Sequence, residues 1–342
     1  MIRARTLLTI GVLSALAFSS AARSAPGTWE FRDGRWQQLP AAATQPAPSD
    51  PTLDRIEQFL DGGQWKPARV AILDWLKNNP ASPQRDRGLF LIARVYYEKD
   101  DRIRAFYHLD ELHEEYPESH YFYPGLELKY KIAEEYLNGH KDTFLGMPII
   151  DREGEAVEMM YRIQQTSPGS PLAEKALLRT ADYYYADLQY DLAADAYSVY
   201  AKNYPRSPAV PKVLLRRAFS SLAQFRGIKF DPTPIIDARS QLSDIAQQYP
   251  KLAEEENVSV VIEKIDSTFA AKTYGVADFY RRTHESNAAV YTYRLLIKTY
   301  PTSPEAASAR KWLTKMPASA LAMPEPTINY GYGGIGTTPE SR

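Results

Sequence analysis

A proline that follows a tyrosine or a polar residue recurs six times along this chain, and the residues before it keep fixed spacings. The six prolines are separated by 37, 51, 37, 45 and 51 residues and are Pro80, Pro117, Pro168, Pro205, Pro250 and Pro301. An alanine lies twelve residues before each proline, namely Ala68, Ala105, Ala156, Ala193, Ala238 and Ala289. A larger apolar or aromatic residue lies eight residues before each proline, namely Ile72, Leu109, Met160, Tyr197, Leu242 and Tyr293. Such an internal repeat constrains the fold more than any other feature of the chain.

The spacing within each unit is helical. The alanine and the larger residue are four positions apart, which places them on the same face of an α-helix. In three units a second small-aromatic pair lies twelve residues further upstream, namely Ala93 and Tyr96, Ala181 and Tyr184, and Ala277 and Tyr280. Each unit is therefore predicted to be a helix, a tight turn, a second helix and a proline that ends it.

This order of small, aromatic, small, aromatic and proline resembles the tetratricopeptide repeat, whose units span roughly 34 residues. The resemblance implies an all-α, right-handed superhelical solenoid of about five to six helix pairs over residues 52–316. Two units carry insertions between their helices, "NGHKDTFLGMPIIDRE" and "FRGIKFDPTPI". Long loops of this kind serve either as binding surfaces or as spacers.

The C-terminal half carries a closer resemblance. The stretch "FDPTPIIDARSQLSDIAQQYP" and the later "FAAKTYGVADFYRRTHESNAAVYTYRLLIKTYPTSPEAASA" resemble the BamD family of outer-membrane assembly lipoproteins. The resemblance implies a non-enzymatic adaptor on the periplasmic side of the outer membrane, bound to other proteins of the machinery that assembles β-barrel proteins. The alternative is a soluble periplasmic tetratricopeptide adaptor for cell-wall or division complexes.

The N-terminus has the order of a secretory signal peptide, predicted over residues 1–24. Arg3 and Arg5 precede an apolar run from Leu7 to Phe18, and small residues follow. An uncleaved N-terminal anchor is the alternative. The chain contains no cysteine, whereas the BamD family is acylated on a cysteine after its signal peptide. We therefore expect an exported, periplasmic protein whose association with the outer membrane is peripheral or goes through a partner.

The segment 27–40, "GTWEFRDGRWQQLP", is predicted to form a β-hairpin. Asp33 and Gly34 form a two-residue turn signal, and Phe31 and Trp36 are expected to pair across the strands. Because a lone two-stranded hairpin is marginally stable in water, Trp29, Phe31 and Trp36 are expected to contact another surface. That surface is either the first repeat or a partner. Residues 41–51 are predicted to be a Pro/Ala linker, and residues 317–342 a flexible tail.

Few residues suggest chemistry. The net charge of −1 provides no basic field for nucleic acid. The tail sequence "GYGGIG" has no strand before it and no helix after it, so no cofactor site is expected. The histidines lack the i, i+4 spacing of helical metal ligands, and "RTHES" lies in a predicted turn. We expect no enzyme activity, cofactor or metal.

In tetratricopeptide proteins the first helix of each unit lines the binding groove, at fixed positions around its small residue. This resemblance implies seven residues that face a partner segment. They are Arg94, Tyr97, Asp182, Tyr185, Asp278, Arg281 and Arg282.

Overall fold

The structure is a computed structural model that describes residues 29–32, 35–38, 50–144, 147–150, 152–227 and 230–316. For residues 31, 32, 35, 38, 143, 144 and 147–150 it describes the backbone alone. The predicted signal peptide, the tail with its glycine-rich sequence and all but the last residues of the predicted linker lie outside the described residues, so these remain predictions.

The described residues form fourteen helices, of which twelve make six successive pairs. The pairs are α1 (Pro51–Asp61) with α2 (Trp65–Asn78), α3 (Arg85–Glu98) with α4 (Arg102–Glu115), α5 (Phe122–Leu137) with α6 (Glu153–Thr166), α7 (Pro171–Ala186) with α8 (Tyr190–Asn203), α9 (Val210–Ala223) with α10 (Thr233–Gln248), and α12 (Val258–Arg282) with α13 (Ser286–Thr299). A short α11 (Pro250–Glu255) precedes α12, and α14 (Pro304–Leu313) follows α13. The predicted all-α fold of helix pairs is confirmed.

The alanines of the repeat pattern lie on the buried face of the second helices. All six are fully buried, at 0% exposure, and the larger residue one turn later is at most 1% exposed in every unit. A side chain as small as alanine lets the neighbouring helix approach closely, and the larger residue fills the space beside it. The prediction that these two positions share a buried face is confirmed.

The proline-rich connections begin the next helix as well as ending the previous one. Ser170 accepts a hydrogen bond from the amide of Ala173 at 3.0 Å, and Ser303 accepts one from the amide of Ala306 at 3.0 Å. In both cases a proline occupies the first helical position, where its missing N–H has no intrahelical role. The repeated Ser-Pro step is therefore an N-cap signal that complements the helix-ending proline.

In five of the six pairs, the residue two positions after the end of the first helix has a positive φ angle; it is Gly63, Asp100, Gly139, Leu188 or His284. In the α9–α10 connection the positive φ angle lies four positions after α9, at Gly227. For residues other than glycine this left-handed conformation is strained, because Cβ approaches the following carbonyl oxygen. His284 thus lies in the turn between α12 and α13, as predicted.

The chain divides into two compact units, the first ending at Gly125 except that residues 100–102 belong to the second. The first unit contains the N-terminal hairpin of β1 (Trp29–Arg32) and β2 (Arg35–Gln38), in which Phe31 is paired with Trp36 as predicted. The indole of Trp36 lies 6.3 Å from the ring of Phe122 and 6.0 Å from that of Tyr123, between ring centroids. The hairpin thus contacts the start of α5, in the third helix pair. Trp29 is half-buried.

The second unit contains the longer insertion, between α5 and α6. It forms a second antiparallel hairpin of β3 (Asp142–Phe144) and β4 (Met147–Ile150). Asp142 accepts a hydrogen bond from the buried Tyr136 hydroxyl at 2.6 Å and one from Arg152 Nε at 2.5 Å. The base of the inserted hairpin is therefore held against both α5 and α6.

Candidate partner-binding surface

The predicted partner-binding residues all lie on first helices, on α3, α7 and α12. In the first unit the α3 arginines face an acidic stripe of α1. Arg87 Nη2 lies 2.8 Å from Asp54 Oδ1 and 2.6 Å from Glu57 Oε2, and Arg94 Nη2 lies 2.9 Å from Asp61 Oδ1. Burial disfavours the charged form of Arg87, but the hydrogen bonds to Glu57 and Asp54 outweigh it and the pKa of Arg87 is raised. These pairs join two successive first helices.

In the second unit, cationic side chains of α7 reach back to α5. Lys175 Nζ lies 4.2 Å from the ring centroid of the buried Tyr130, a cation–π contact. Arg179 Nη2 donates a hydrogen bond to Asn138 Oδ1 at 2.7 Å. Neither cation was among the predicted binding residues, and both occupy the same helix face as Asp182.

Asp182 links α7 to the two helices that follow. It accepts a hydrogen bond from the hydroxyl of Tyr197 on α8 at 2.7 Å and forms an ion pair with Arg216 on α9. Burial and this hydrogen bond both raise the pKa of the Tyr197 phenol, so the hydroxyl remains a donor at neutral pH. Asp182 was predicted to contact a partner, which stays a prediction; in the structure it connects α7 with α8 and α9.

The end of α12 carries the most accessible of the predicted residues. Arg281 Nη2 lies 2.6 Å from Asp278 Oδ1, and Arg282 Nε lies 3.1 Å from Asp278 Oδ2. Both arginines are exposed, and one carboxylate balances two guanidinium groups. An arginine side chain presents five N–H donors, so these contacts leave further donors directed to solvent. This three-residue group therefore carries a net positive charge at the end of α12.

The two predicted tyrosines are less accessible. Tyr97 on α3 is half-buried, and Tyr185 on α7 packs its ring edge-on against Tyr190, with the centroids 5.6 Å apart. The structure brings Asp278, Arg281 and Arg282 together, whereas the other four residues lie on α3 and α7.

Two of these ion pairs, which the sequence analysis did not predict, have a signal in the sequence. Arg216 follows its partner Asp182 by 34 residues, and Arg94 follows Asp61 by 33. Opposite charges one repeat length apart occupy the same register on successive first helices and therefore face each other. Opposite charges separated by 33 or 34 residues in the sequence therefore predict these two ion pairs.

The described residues gather no group of histidine, aspartate and glutamate side chains suited to a metal ion. An apolar groove between α1 and α2, lined by Ile56, Phe59, Pro67 and Val70 among others, contains a single charged side chain, Arg55. It therefore offers no acid–base pair. No helix in the part of the chain that the structure describes has both the length and the apolar character to cross a membrane.

Two solved structures show low similarity to this chain. The C-terminal part of a TPR repeat-containing protein from Cytophaga hutchinsonii has a TM-score of 0.35 and 12% identity, covering 75% of this chain and 86% of that one. PilW, a type IV pilus biogenesis factor, has a TM-score of 0.28 and 14% identity, covering 76% and 96%.

Sequence comparison gives a family. The chain is 21% identical over 149 residues to the outer membrane protein assembly factor BamD of Caulobacter vibrioides, covering 44% of this chain. The match spans about half the length of that relative, 49%. The model of the YfiO family, described as an outer membrane lipoprotein, matches residues 152–323, which include every element from α6 to α14. Because this match covers half of the 342-residue chain, the protein belongs to the YfiO family.

Proposed function

We propose that this protein is a cell-envelope adaptor that binds other proteins through its first helices and takes part in assembling β-barrel proteins into the outer membrane. The observation that carries the proposal is the family match over residues 152–323, which contains the half-buried Asp278 and the exposed Arg281 and Arg282. The relative from Caulobacter vibrioides is itself described as an outer membrane protein assembly factor. The proposed activity is binding, without a chemical step.

The α12 group is suited to binding a protein segment. Arg281 and Arg282 lie on one helix and need little reorganisation, because Asp278 already orients both guanidinium groups. Pre-orientation lowers the entropic cost of forming an interface, and arginine is enriched among residues that contribute most to binding. The surplus positive charge favours a partner segment with acidic side chains.

We propose that the protein lies at the periplasmic face of the outer membrane and is held there peripherally or by a partner. Membrane fractionation tests this directly. Release of the protein from membranes by high salt supports the proposal, because screening weakens contacts between exposed charges. Retention until detergent is added contradicts it.

The function is tested by affinity capture from detergent-solubilised envelopes, with the variant Arg281→Ala/Arg282→Ala beside the wild type. The matched control is Lys264→Ala/Lys272→Ala, which removes the same charge from the same helix. Recovery of a barrel-assembly protein that falls with the arginine variant and persists with the control is the expected result. Recovery of cell-wall or division proteins in its place contradicts the assembly role and favours the alternative adaptor. Capture that is unaffected by the arginine variant refutes the assignment of the site.

A further inference from the structure

The outward face of α8 exposes an apolar stripe that packing of the repeats leaves uncovered. Leu188, in the turn before α8, is 68% exposed, Leu192 is 41% exposed and Val199 is 45% exposed. Leu192 and Val199 are seven residues apart on α8 and therefore lie on the same helix face, and Leu188 adds apolar surface in the turn before the helix. Apolar residues seven apart recur at the period of the contact seam between two helices in a coiled coil.

Three carboxylates border this stripe. Asp187, Asp191 and Asp195 are exposed, and the sequence has no lysine or arginine between Arg179 and Lys202. Within the described part of the chain, none of the three has an ion-pair partner within 4.0 Å. The exposed Lys202 lies three residues after Val199 on α8, so the face combines apolar residues with a net negative charge of two.

The equivalent helix of the next pair lacks this arrangement. The exposed positions of α10 include Ser240, Asp244, Gln247 and Gln248, which are all polar. Both helices are second helices of the same compact unit. The apolar stripe thus distinguishes α8 from α10, whereas α2 also exposes two apolar residues, Val70 and Leu73.

We propose that the α8 face, defined as Leu188, Leu192 and Val199 with Asp187, Asp191 and Asp195, binds a basic amphipathic helix of a partner protein. The seam spacing accommodates the apolar stripe of such a helix, and its lysines or arginines pair with the carboxylates. A second copy of this chain fits less well, because two α8 faces bring like charges together. An anionic membrane surface repels the same carboxylates.

The test uses a synthetic three-heptad peptide with leucine at positions a and d and lysine at positions e and g. A second peptide has glutamate in place of every lysine. Binding to the full chain is measured by fluorescence anisotropy. The lysine peptide is expected to bind at least about tenfold more tightly than the glutamate peptide. Its affinity falls as salt is added, because the charges on both sides are exposed.

Two variants of the face test the assignment. Leu188→Gly/Leu192→Ser removes the apolar seam, and the glycine suits the turn, so folding is preserved. Asp191→Asn/Asp195→Asn removes two carboxylates. Each is expected to weaken binding of the lysine peptide about tenfold, as loss of a central contact does. The control Asp237→Asn/Asp244→Asn makes the same charge change on α10 and is expected to leave binding unchanged.

Three results overturn the proposal. The first is failure of the lysine peptide to bind, or equal binding of both peptides. The second is an equal loss of affinity in the α10 control. The third is a dimer in sedimentation, or adsorption to vesicles containing phosphatidylglycerol, that Leu188→Gly/Leu192→Ser abolishes, since either shows that another occupant uses this face.

Discussion

The second helices and the first helices of this protein follow different rules. On the second helices the same two positions are filled by alanine and a larger residue and are buried in all six pairs. On the first helices the polar contacts change from pair to pair, from the arginines of α3 to the aspartate of α7 and the exposed arginines of α12. Packing is therefore repeated along the chain, whereas surface chemistry is particular to each unit. The parts that do not repeat are where specific binding is expected.

The largest expected effect comes from removing a repeated packing residue. Tyr197→Ala empties the fully buried position between α7 and α8 and is expected to lower the free energy of unfolding by about 3–5 kcal/mol. Urea denaturation measures the change. Tyr185→Ala, at a half-buried first-helix position, is the control and is expected to cost clearly less. Equal losses contradict the distinction between the two helix types.

A smaller loss of stability is expected when a buried alanine of a second helix is replaced by a larger residue. Ala193 is fully buried, so Ala193→Leu forces the neighbouring helix outward, at a cost of about 1–3 kcal/mol. Ser198→Leu, on the exposed side of the same helix, is expected to change stability by less than about 0.5 kcal/mol. Thermal denaturation of both variants measures the change in stability. If Ala193→Leu melts at the same temperature as the wild type, the second helices are not tightly packed at Ala193.

The buried tyrosines of the second helices predict a loss of stability at alkaline pH. Burial, followed by the hydrogen bond to Glu174, raises the pKa of Tyr200 to about 12. The unfolded phenol ionises near pH 10, so the folded state binds more protons between about pH 10 and 12 and stability falls as the pH rises through this range. At pH 11 this loss is of order 1 kcal/mol relative to pH 8. Urea denaturation of Tyr200→Phe is expected to show a smaller drop between these two pH values. If the free energy of unfolding falls equally in Tyr200→Phe and in the wild type, the alkaline loss of stability comes from groups other than Tyr200.

The smallest effect is expected for the ion pair between first helices. Asp182 and Arg216 are both partly exposed, so their coupling is at most about 1 kcal/mol. A double-mutant cycle with Asp182→Asn and Arg216→Gln measures this coupling and separates it from the hydrogen bond of Tyr197. A coupling well above this value shows that first-helix charges contribute to stability as the packing residues do.

The repeated packing was predictable because it is encoded at fixed spacings. Ala193, Tyr197 and Pro205 identify their helix and its buried face without any structure. The contact of Trp36 with Phe122 and Tyr123 was not predictable in this way, since no periodicity relates the hairpin to α5. Contacts between distant and irregular segments depend on the assembled surface.

The candidate surface was predictable in part. The register placed Asp182 and Arg281 on first helices, but it did not show that Asp182 is already engaged with Tyr197 and Arg216. The left-handed turn at Leu188 contradicts local preference, because leucine disfavours this conformation. The repeat imposes the turn geometry on whichever residue occupies the position, and only the structure reveals this.

The central claim is that partner binding depends on non-repeated polar residues and not on the packing. Affinity capture and a thermal melt of one preparation of Arg281→Ala/Arg282→Ala test it most directly. We expect a clear loss of captured partner with little change in melting temperature, because both arginines are exposed. Undiminished capture, or a loss that appears only together with a lowered melting temperature, contradicts it.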